Sequence, residues 1–273
     1  MRSLWMVIGA SGYVGRNLCR ALSAHYRVLG AYFSDSGAFE GEKIQVDIRD
    51  KKAVRKLFEL KRPEVIFHLA YDLRDLEGSV VKGTGNLVEA WGRVCPESRF
   101  IYVSTDAVFD GESGPYGEDS IPEPIWDYGR AKREAELKVL GAGGTVVRNS
   151  LVYGFDPLDP RTEELKRGLE SGRFQYPYFE DEVRCPVHVE DLCAALVELG
   201  NMGDDVPSII HVAGPEAGTR YDFSVRLARK MGYNPEEIPK ARLHESGILR
   251  PRDLTLDTSL AKSMLKTRFR RWI

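Results

Sequence analysis

Three glycines lie between a short apolar segment and a helical pattern near the start of the chain. Residues 4–8 form a continuous apolar run, which is typical of a strand covered on both faces in a parallel sheet. Glycines follow at positions 9, 12 and 15, and apolar residues then recur at helical spacing up to residue 22. A pyrophosphate needs bare backbone in such a turn and a helix N-terminus to receive its charge. The sequence therefore predicts a dinucleotide site, with contacts from Gly9, Ser11, Gly12, Tyr13, Val14 and Gly15.

Strand and helix patterns alternate after this turn. Strands are predicted at residues 27–33, 43–46, 64–70, 100–103, 145–148 and 208–213, and helices at 51–60, 83–91 and 127–140. Because no hairpin signal interrupts the alternation, the pattern predicts an α/β fold with a Rossmann-type, doubly wound parallel sheet. We predict a cofactor domain of residues 1–150 with 187–215, and a smaller, interleaved C-terminal substrate lobe of residues 151–186 with 216–273.

Ligands of such sheets bind where the strands end, so the residues that follow each strand are candidates for the cofactor. The second strand ends without an acid near Tyr32 that would bind a ribose 2′-hydroxyl and without an arginine that would bind a 2′-phosphate. Ser34 is able to bind a phosphate, so the choice between NAD and NADP stays open, with NADP slightly favoured. The further candidates, at the ends of the third and fourth strands, are Asp47, Ile48, Leu69, Ala70 and Tyr71.

Tyr128 and Lys132 stand four residues apart at the start of a predicted helix. Such a pair lies on one helix face, and an ammonium beside a phenol lowers the pKa of the phenol toward the working pH. Ser104 and Thr105 end the preceding strand and add hydroxyl groups at the same edge of the sheet. A tyrosine and a lysine at this spacing also occur by chance on amphipathic helices, so the catalytic interpretation depends on their convergence with the glycine turn.

The composition restricts the partners of the chain. The formal net charge is −2 with acids and bases mixed, which gives no basic surface for nucleic acid. Residues 1–12 hold too short an apolar run for a signal peptide, and no run approaches the length of a membrane span. The four cysteines form no Cys-x-x-Cys pair, so we expect reduced thiols in a cytoplasmic protein and no bound metal.

Several motifs together resemble the extended short-chain dehydrogenase/reductase family, and within it the dTDP-4-dehydrorhamnose reductases. The most specific is STDAVFDG at residues 104–111, which differs from the STDYVFDG of these reductases at one position. The segment YGRAKREAE at residues 128–136 is similar to their Y-G-x-x-K-x-x-x-E motif. Further similarities, which extend the resemblance over almost the whole chain, lie at residues 9–15, 62–66, 70–71, 148–154 and 250–257.

This resemblance implies a reductase of a nucleotide-linked 4-keto-6-deoxy sugar in dTDP-L-rhamnose biosynthesis. Tyr128 would donate a proton to the substrate carbonyl, Thr105 would hydrogen-bond the same oxygen, and Lys132 would bind the nicotinamide ribose. The resemblance adds Ser104, Tyr128 and Lys132 to the cofactor contacts. The residues that it implies for substrate binding are Thr105, Asp106, Ala107, Leu151, Tyr153 and Arg184.

The chain departs from these reductases close to the expected sugar and nicotinamide. Ala107 replaces a tyrosine, Leu151 replaces a tryptophan, and Val80 replaces an asparagine. Two alternatives therefore remain: a sugar-nucleotide epimerase of the same family, and a non-catalytic regulatory subunit similar to the β subunit of methionine adenosyltransferase. A dehydratase is less well supported, because the second carboxylate that those enzymes carry after the catalytic threonine is absent at Ala107. A homodimer is the default expectation for a soluble enzyme.

Overall fold

The computed structural model describes residues 2–272. Within this range the strands, numbered in chain order, are β1 Leu4–Ile8, β2 Arg27–Tyr32, β3 Glu42–Gln45, β4 Val65–His68, β5 Arg99–Thr105, β6 Thr145–Asn149, β7 Val152–Tyr153, β8 Tyr178–Phe179, β9 Val183–Arg184, β10 Val187–His188, β11 Ile209–Val212, β12 Gly218–Thr219 and β13 Lys240–Ala241. The helices are α1 Tyr13–Ser23, α2 Lys51–Lys61, α3 Gly83–Val94, α4 Asp127–Gly141, α5 Pro160–Ser171, α6 Val189–Asn201, α7 Arg220–Lys230 and α8 Ser259–Met264. A π-helix, Leu76–Lys82, leads into α3.

A seven-stranded sheet forms the centre of the protein. Its strand order is β3-β2-β1-β4-β5-β6-β11, and each neighbouring pair is parallel. The predicted doubly wound Rossmann-type sheet is therefore confirmed. The late strand predicted at residues 208–213 is also present, as β11, which rejoins the sheet beside β6.

Helices cover both faces of the sheet, and the alternation of side chains along β1 divides the core in two. Trp5 and Val7 pack on one side with apolar residues of α1 and α6. Met6 and Ile8 pack on the other side with apolar residues of α2, α3 and α4. Because successive side chains of a strand point to opposite faces, a strand buried on both sides must be continuously apolar.

A smaller lobe is built from segments that follow β6. Its two-stranded sheets pair β7 with β10, β9 with β12, and β8 with β13. Helices α5 and α7 pack against each other through a shared apolar cluster that includes Leu165, Leu169, Phe223 and Leu227. These helices lie on either side of α6 and β11 in the sequence, so the lobe is interleaved with the sheet. The residue limits given above for the two parts stay a prediction.

Helix α4 carries two parallel rows of residues at a spacing of four. Ala131, Ala135 and Val139 are buried against the sheet. The row Tyr128, Lys132 and Glu136 runs beside it, and both Lys132 and Glu136 are buried as well. A helix with charged residues on its inward surface needs a partner for each of them, and those partners lie at the ends of β5 and β6.

No helix within residues 2–272 has the length and apolar character needed to cross a membrane.

Candidate active site

The glycine turn forms a tight cradle at the start of α1. The Gly12 amide donates to the Gly9 carbonyl at 3.1 Å, and a Cβ atom on Gly15 would lie 2.9 Å from Cα of Ala10. Gly12 is the N-cap of α1, and within residues 2–272 no side chain caps this helix start. The first amides of α1 are therefore available to an anion, which fits a cofactor diphosphate.

The end of β4 lies directly against this cradle. Gly9 has a φ of +91°, and a Cβ atom there would lie 2.8 Å from the amide nitrogen of Ala70. Leu69 is partly buried beside the core, while Tyr71 is half exposed at the edge of the cleft. The structure thus brings the glycine turn and residues 69–71 to one place, as predicted for cofactor contacts.

An arginine that the sequence did not point to lies at the expected adenosine end. The Arg49 guanidinium stacks 4.8 Å from the centroid of the Phe33 ring, beside Ser34. It donates to Asp47 at 2.9 Å and to Asp75 at 2.9 Å, and the hydrogen bonds from Arg49 hold the pKa of Asp47 below its usual value. The sequence prediction concerned the end of β2, whereas Arg49 follows β3, so a contact of Arg49 with a 2′-phosphate is a proposal.

Three other predicted cofactor residues differ in their surroundings. Ser34 is exposed after β2 and is open to a phosphate. Ile48 is buried in the core against α3, so its side chain does not border the site. Ser104 donates to the carboxylate of Glu136 at 2.6 Å, so its hydroxyl faces α4 and not the cleft. Both side chains thus point away from the cleft, and the cofactor contacts predicted for Ile48 and Ser104 stay predictions.

Tyr128, Lys132 and Thr105 come together where α4 meets the end of β5. The Tyr128 ring centroid lies 5.9 Å from that of Tyr71, and Thr105 lowers the pKa of the Tyr128 phenol, which burial raises. Lys132 Nζ donates to the carbonyl oxygen of Val103 at 2.7 Å. Since Tyr71 follows the strand end that touches Gly9, these side chains stand next to the glycine cradle.

Burial changes the protonation of this pair in a way that the spacing did not predict. Desolvation raises the pKa of Tyr128, and the charge of Tyr71 raises it further, while the Thr105 hydrogen bond lowers it. Desolvation also lowers the pKa of Lys132, and the charge of Glu136 offsets this only in part, so the pKa is about 7. The predicted lowering of the phenol pKa by Lys132 is therefore not found. The phenol stays protonated at neutral pH, which suits a proton donor.

Asp106 is buried between the site and the lobe. Its Oδ1 accepts from Thr105 at 3.2 Å and its Oδ2 accepts from Ser150 at 2.6 Å, and Ser150 accepts in turn from the Cys185 amide. Burial raises the pKa of Asp106, while Arg184 lowers it. Asp106 therefore orients the Thr105 hydroxyl, and direct contact with a substrate is not indicated.

Two more of the predicted substrate residues are placed away from the cleft. Ala107 is buried in a core cluster, where its carbonyl oxygen accepts from the indole of Trp126 at 3.3 Å. Arg184 is buried and donates to Glu182 at 2.9 Å and to the carbonyl oxygen of Pro251 at 3.0 Å. These partners bind the Arg184 guanidinium within the lobe, and the substrate contact predicted for Arg184 stays a prediction.

Leu151 and Tyr153 line a small cavity in the lobe, and the substrate contacts predicted for them stay predictions. Two arginines line it as well: Arg161 at the start of α5 and Arg220 at the start of α7. Within the described residues, neither guanidinium donates to a partner. Burial lowers the pKa of Arg220, and the charge of Arg161 lowers it further. No sequence pattern signals this pair, because α5 and α7 meet only in the folded lobe.

Trp126 is a further residue that sequence reasoning missed. Its ring lies edge-on to Tyr128 with the centroids 5.5 Å apart, directly before α4. It is partly buried against the cluster that contains Ala107. An aromatic side chain thus borders the phenol at a place where the local sequence shows only a proline-rich loop.

Comparison with known proteins agrees with this geometry. Residues 2–273 match the sequence profile of a family described as the RmlD substrate binding domain. The dTDP-4-keto-6-deoxy-D-glucose reductase of Streptomyces niveus is 29% identical over 286 residues, which cover 100% of this chain and 94% of that protein. The methionine adenosyltransferase 2 subunit beta of Rattus norvegicus is 28% identical over 282 residues, which cover 95% of this chain and 81% of that protein. The solved dTDP-4-dehydrorhamnose reductase of Bacillus anthracis, in complex with NADP, aligns with a TM-score of 0.84 at 21% identity, over 100% of this chain and 96% of that one.

Proposed function

The chain belongs to the RmlD substrate binding domain family, and on this premise we propose that it is an NAD(P)H-dependent reductase of a nucleotide-linked 4-keto-6-deoxy sugar. The observation that carries the proposal is the placement of Tyr128, Thr105 and Lys132 next to the glycine cradle. Its family and the reductase of Streptomyces niveus agree with this chemistry.

The residues present fit a dinucleotide. Bare backbone at Gly9 and Gly15 leaves room that a Cβ atom would fill, and the uncapped start of α1 offers amides to a diphosphate. Ser34 and Arg49 lie beside Phe33 where a 2′-phosphate would be bound, which favours NADP. When bound, the cofactor supplies the hydride.

The residues of this chain supply the proton and its surroundings. Tyr128, protonated at neutral pH, donates a proton to the oxygen of the substrate ketone as that oxygen becomes an alkoxide. The Thr105 hydroxyl, which donates to Asp106 in this structure, would turn to donate to the same oxygen when the ketone is bound. Lys132 follows Tyr128 by one helical turn and donates to the Val103 carbonyl oxygen, which holds the start of α4 against the end of β5.

The charges of the lobe favour a nucleotide sugar as the substrate. Arg161 and Arg220 line the lobe cavity together with Asp159 and have no ion-pair partner among residues 2–272, so a diphosphate bound there would pair with them. Leu151 and Tyr153 line the same cavity, and Trp126 offers an aromatic surface close to the phenol. These contacts leave the identity of the sugar to experiment.

The test is an NADPH-oxidation assay with dTDP-4-keto-6-deoxyhexoses, on the wild type and on Tyr128→Phe. We expect the wild type to oxidise NADPH, and the variant to lose about 10²–10⁴-fold in rate while binding cofactor normally. Tyr26→Phe, which changes an exposed phenol bonded to Asn201, is the matched control. Normal turnover by Tyr128→Phe would contradict the assignment of the proton donor. Conversion of the sugar without net oxidation of NADPH would indicate an epimerase.

A non-catalytic role is a second candidate, because a relative over 95% of the chain is a subunit of methionine adenosyltransferase 2. In that role the fold would bind NADP and a partner protein without turnover. Tight binding of NADPH together with no oxidation of any 4-keto sugar would favour it.

We also propose a cytoplasmic homodimer. The four cysteines are free thiols, and three of them are buried. Light scattering on the purified protein would test the dimer.

A further inference from the structure

The indole of Trp126 is fixed at the start of α4. Trp126 is the N-cap residue of this helix, and its Nε1 donates to the carbonyl oxygen of Ala107 at 3.3 Å. Ala107 lies in the turn that directly follows Thr105. The packing is close, because a Cβ atom on Gly129 would lie 3.1 Å from Cδ1 of Trp126 and would overlap the Ala107 carbonyl oxygen. The indole is therefore held between the two segments that carry Thr105 and Tyr128.

Two aromatic rings border the Tyr128 phenol, and they belong to different sides of the site. The Tyr71 ring lies 5.9 Å away between centroids, and Tyr71 follows the strand end that touches the glycine cradle. The Trp126 ring lies edge-on at 5.5 Å and packs against a cluster that includes Cys185 and Leu254 of the lobe. A cofactor held by the cradle approaches the phenol on the Tyr71 side. A sugar held by the lobe therefore approaches it on the Trp126 side.

The indole of Trp126 offers only apolar surface to such a sugar. Its single donor, the Nε1 hydrogen, already binds the Ala107 carbonyl oxygen. A hydroxyl group placed against this ring would lose its water without gaining a hydrogen bond, whereas a methyl group has no such bond to lose.

The chemistry of 4-keto sugars places a discriminating group next to the reacting carbonyl. The ring carbon C5 is bonded to the carbonyl carbon C4, and C5 carries C6. In a 6-deoxy sugar C6 is a methyl group, and in an ordinary hexose it bears a hydroxyl group. When the ketone oxygen is within hydrogen-bond reach of Tyr128, C6 is only two bonds from the carbonyl carbon and so lies close to the ring that borders the phenol.

We propose that Trp126 is a specificity-determining residue, whose indole contacts the C6 methyl group and thereby selects 6-deoxy sugars over sugars with a C6 hydroxyl group. This inference rests on the proposed function, because it concerns the same site. It adds which residue discriminates between sugars and which group of the sugar it recognises.

The test is isothermal titration calorimetry of the NADPH-bound protein with dTDP-6-deoxyglucose and with dTDP-glucose, which differ only in the C6 hydroxyl group. Neither ligand is a ketone, so the affinities are measured without turnover. We expect the wild type to bind dTDP-6-deoxyglucose about tenfold more tightly. In Trp126→Gln the two affinities should be about equal, because the amide is able to hydrogen-bond the C6 hydroxyl group.

A matched pair of variants tests the same point with a ring kept in place. Trp126→Phe should keep the preference, since its ring is apolar. Trp126→Tyr differs from it by one hydroxyl group and should lose the preference. This pair decides the question if Trp126→Gln does not fold.

Two controls separate a local effect from damage to the lobe. Ile121→Gln makes the same apolar-to-polar change in the preceding loop, at a residue that is 80% exposed, and should keep the wild-type preference. dTDP, which lacks the sugar, should bind Trp126→Gln as tightly as it binds the wild type.

Equal affinities of the wild type for the two sugars would overturn this inference and leave the reductase function standing. An unchanged preference in Trp126→Gln or Trp126→Tyr would do the same. Failure of the wild type to bind either dTDP sugar would overturn the proposed substrate class and this inference with it.

Discussion

Gly15→Ala tests whether the opening turn is as tight as the structure shows. A methyl group at residue 15 would lie 2.9 Å from both Cα of Ala10 and the carbonyl carbon of Gly9, and closer still to the Gly9 oxygen. An ordinary contact of a Cβ atom needs 3.4 Å or more. All of these atoms belong to backbone, and Ala10 is fully buried, so no flexible side chain can move aside. The start of α1 would have to shift away from the turn.

The size of the effect follows from two opposing contributions. Overpacking of a tight core site costs about 1–3 kcal/mol. Replacing a helical glycine by alanine contributes about 1 kcal/mol in the other direction. Because the clash is with backbone, we take the upper end of the first range and expect a net loss of about 2 kcal/mol in the free energy of unfolding. The shifted amides should also weaken NADPH binding about tenfold or more.

Gly92→Ala is the matched control. Gly92 lies in α3, and a Cβ atom there would have nothing within 4 Å. This variant should gain about 1 kcal/mol and bind NADPH as the wild type does. Urea denaturation followed by circular dichroism measures the stability, and titration of the protein with NADPH measures the affinity. Wild-type stability together with wild-type affinity in Gly15→Ala would refute the argument.

Three further predictions concern charged residues. Arg49→Ala should weaken NADPH binding about tenfold and leave NADH binding nearly unchanged. The control Arg55→Ala, on the surface of α2, should change neither affinity. Titration with each cofactor measures both. Arg220→Gln should raise the KM for the nucleotide sugar about tenfold with little change in kcat, and an unchanged KM would argue against a diphosphate at this arginine. Lys132→Met should be more stable than the wild type at pH 7. The pKa of Lys132 in the folded protein is lowered to about 7, so below that pH the wild type must bury a charge. The difference in the free energy of unfolding should shrink as the pH rises toward 10.5, the ordinary pKa of lysine. Urea denaturation of both proteins at several pH values measures this difference in stability. A difference that does not change with pH would contradict the lowered pKa of Lys132.

The features that sequence predicted well are those set by neighbouring residues. The glycine turn could be predicted because backbone atoms approach each other closely at Gly9 and Gly15, where a Cβ atom would clash. These glycines are close together in the chain, so the pattern is visible in the sequence. The Tyr128 and Lys132 pair follows from helix geometry alone. Parallel strands place their ends at one edge of a sheet, so the positions of Ala70 and Thr105 in the chain are enough to predict that they meet at one site.

The features that sequence did not predict depend on which distant partner a side chain finds. Arg184 lies in β9 of the lobe, and only the fold shows that Glu182 and the backbone of residues 251–252 bind its guanidinium. Arg49 reaches Phe33 because β3 lies beside β2. The protonation of Tyr128 was misjudged because burial, which dominates it, cannot be read from a spacing of four residues.

The shared cluster between α5 and α7 affects how the chain behaves while it is made. Leu165 and Leu169 of α5 are covered by Leu227 and Phe223 of α7, roughly 60 residues later in the sequence. At about 5–20 residues per second, a ribosome needs several seconds to add that length. During this interval the apolar side of α5 stays open to water and to other nascent chains. We therefore expect the protein to depend on chaperones during synthesis more than during refolding of the full-length chain.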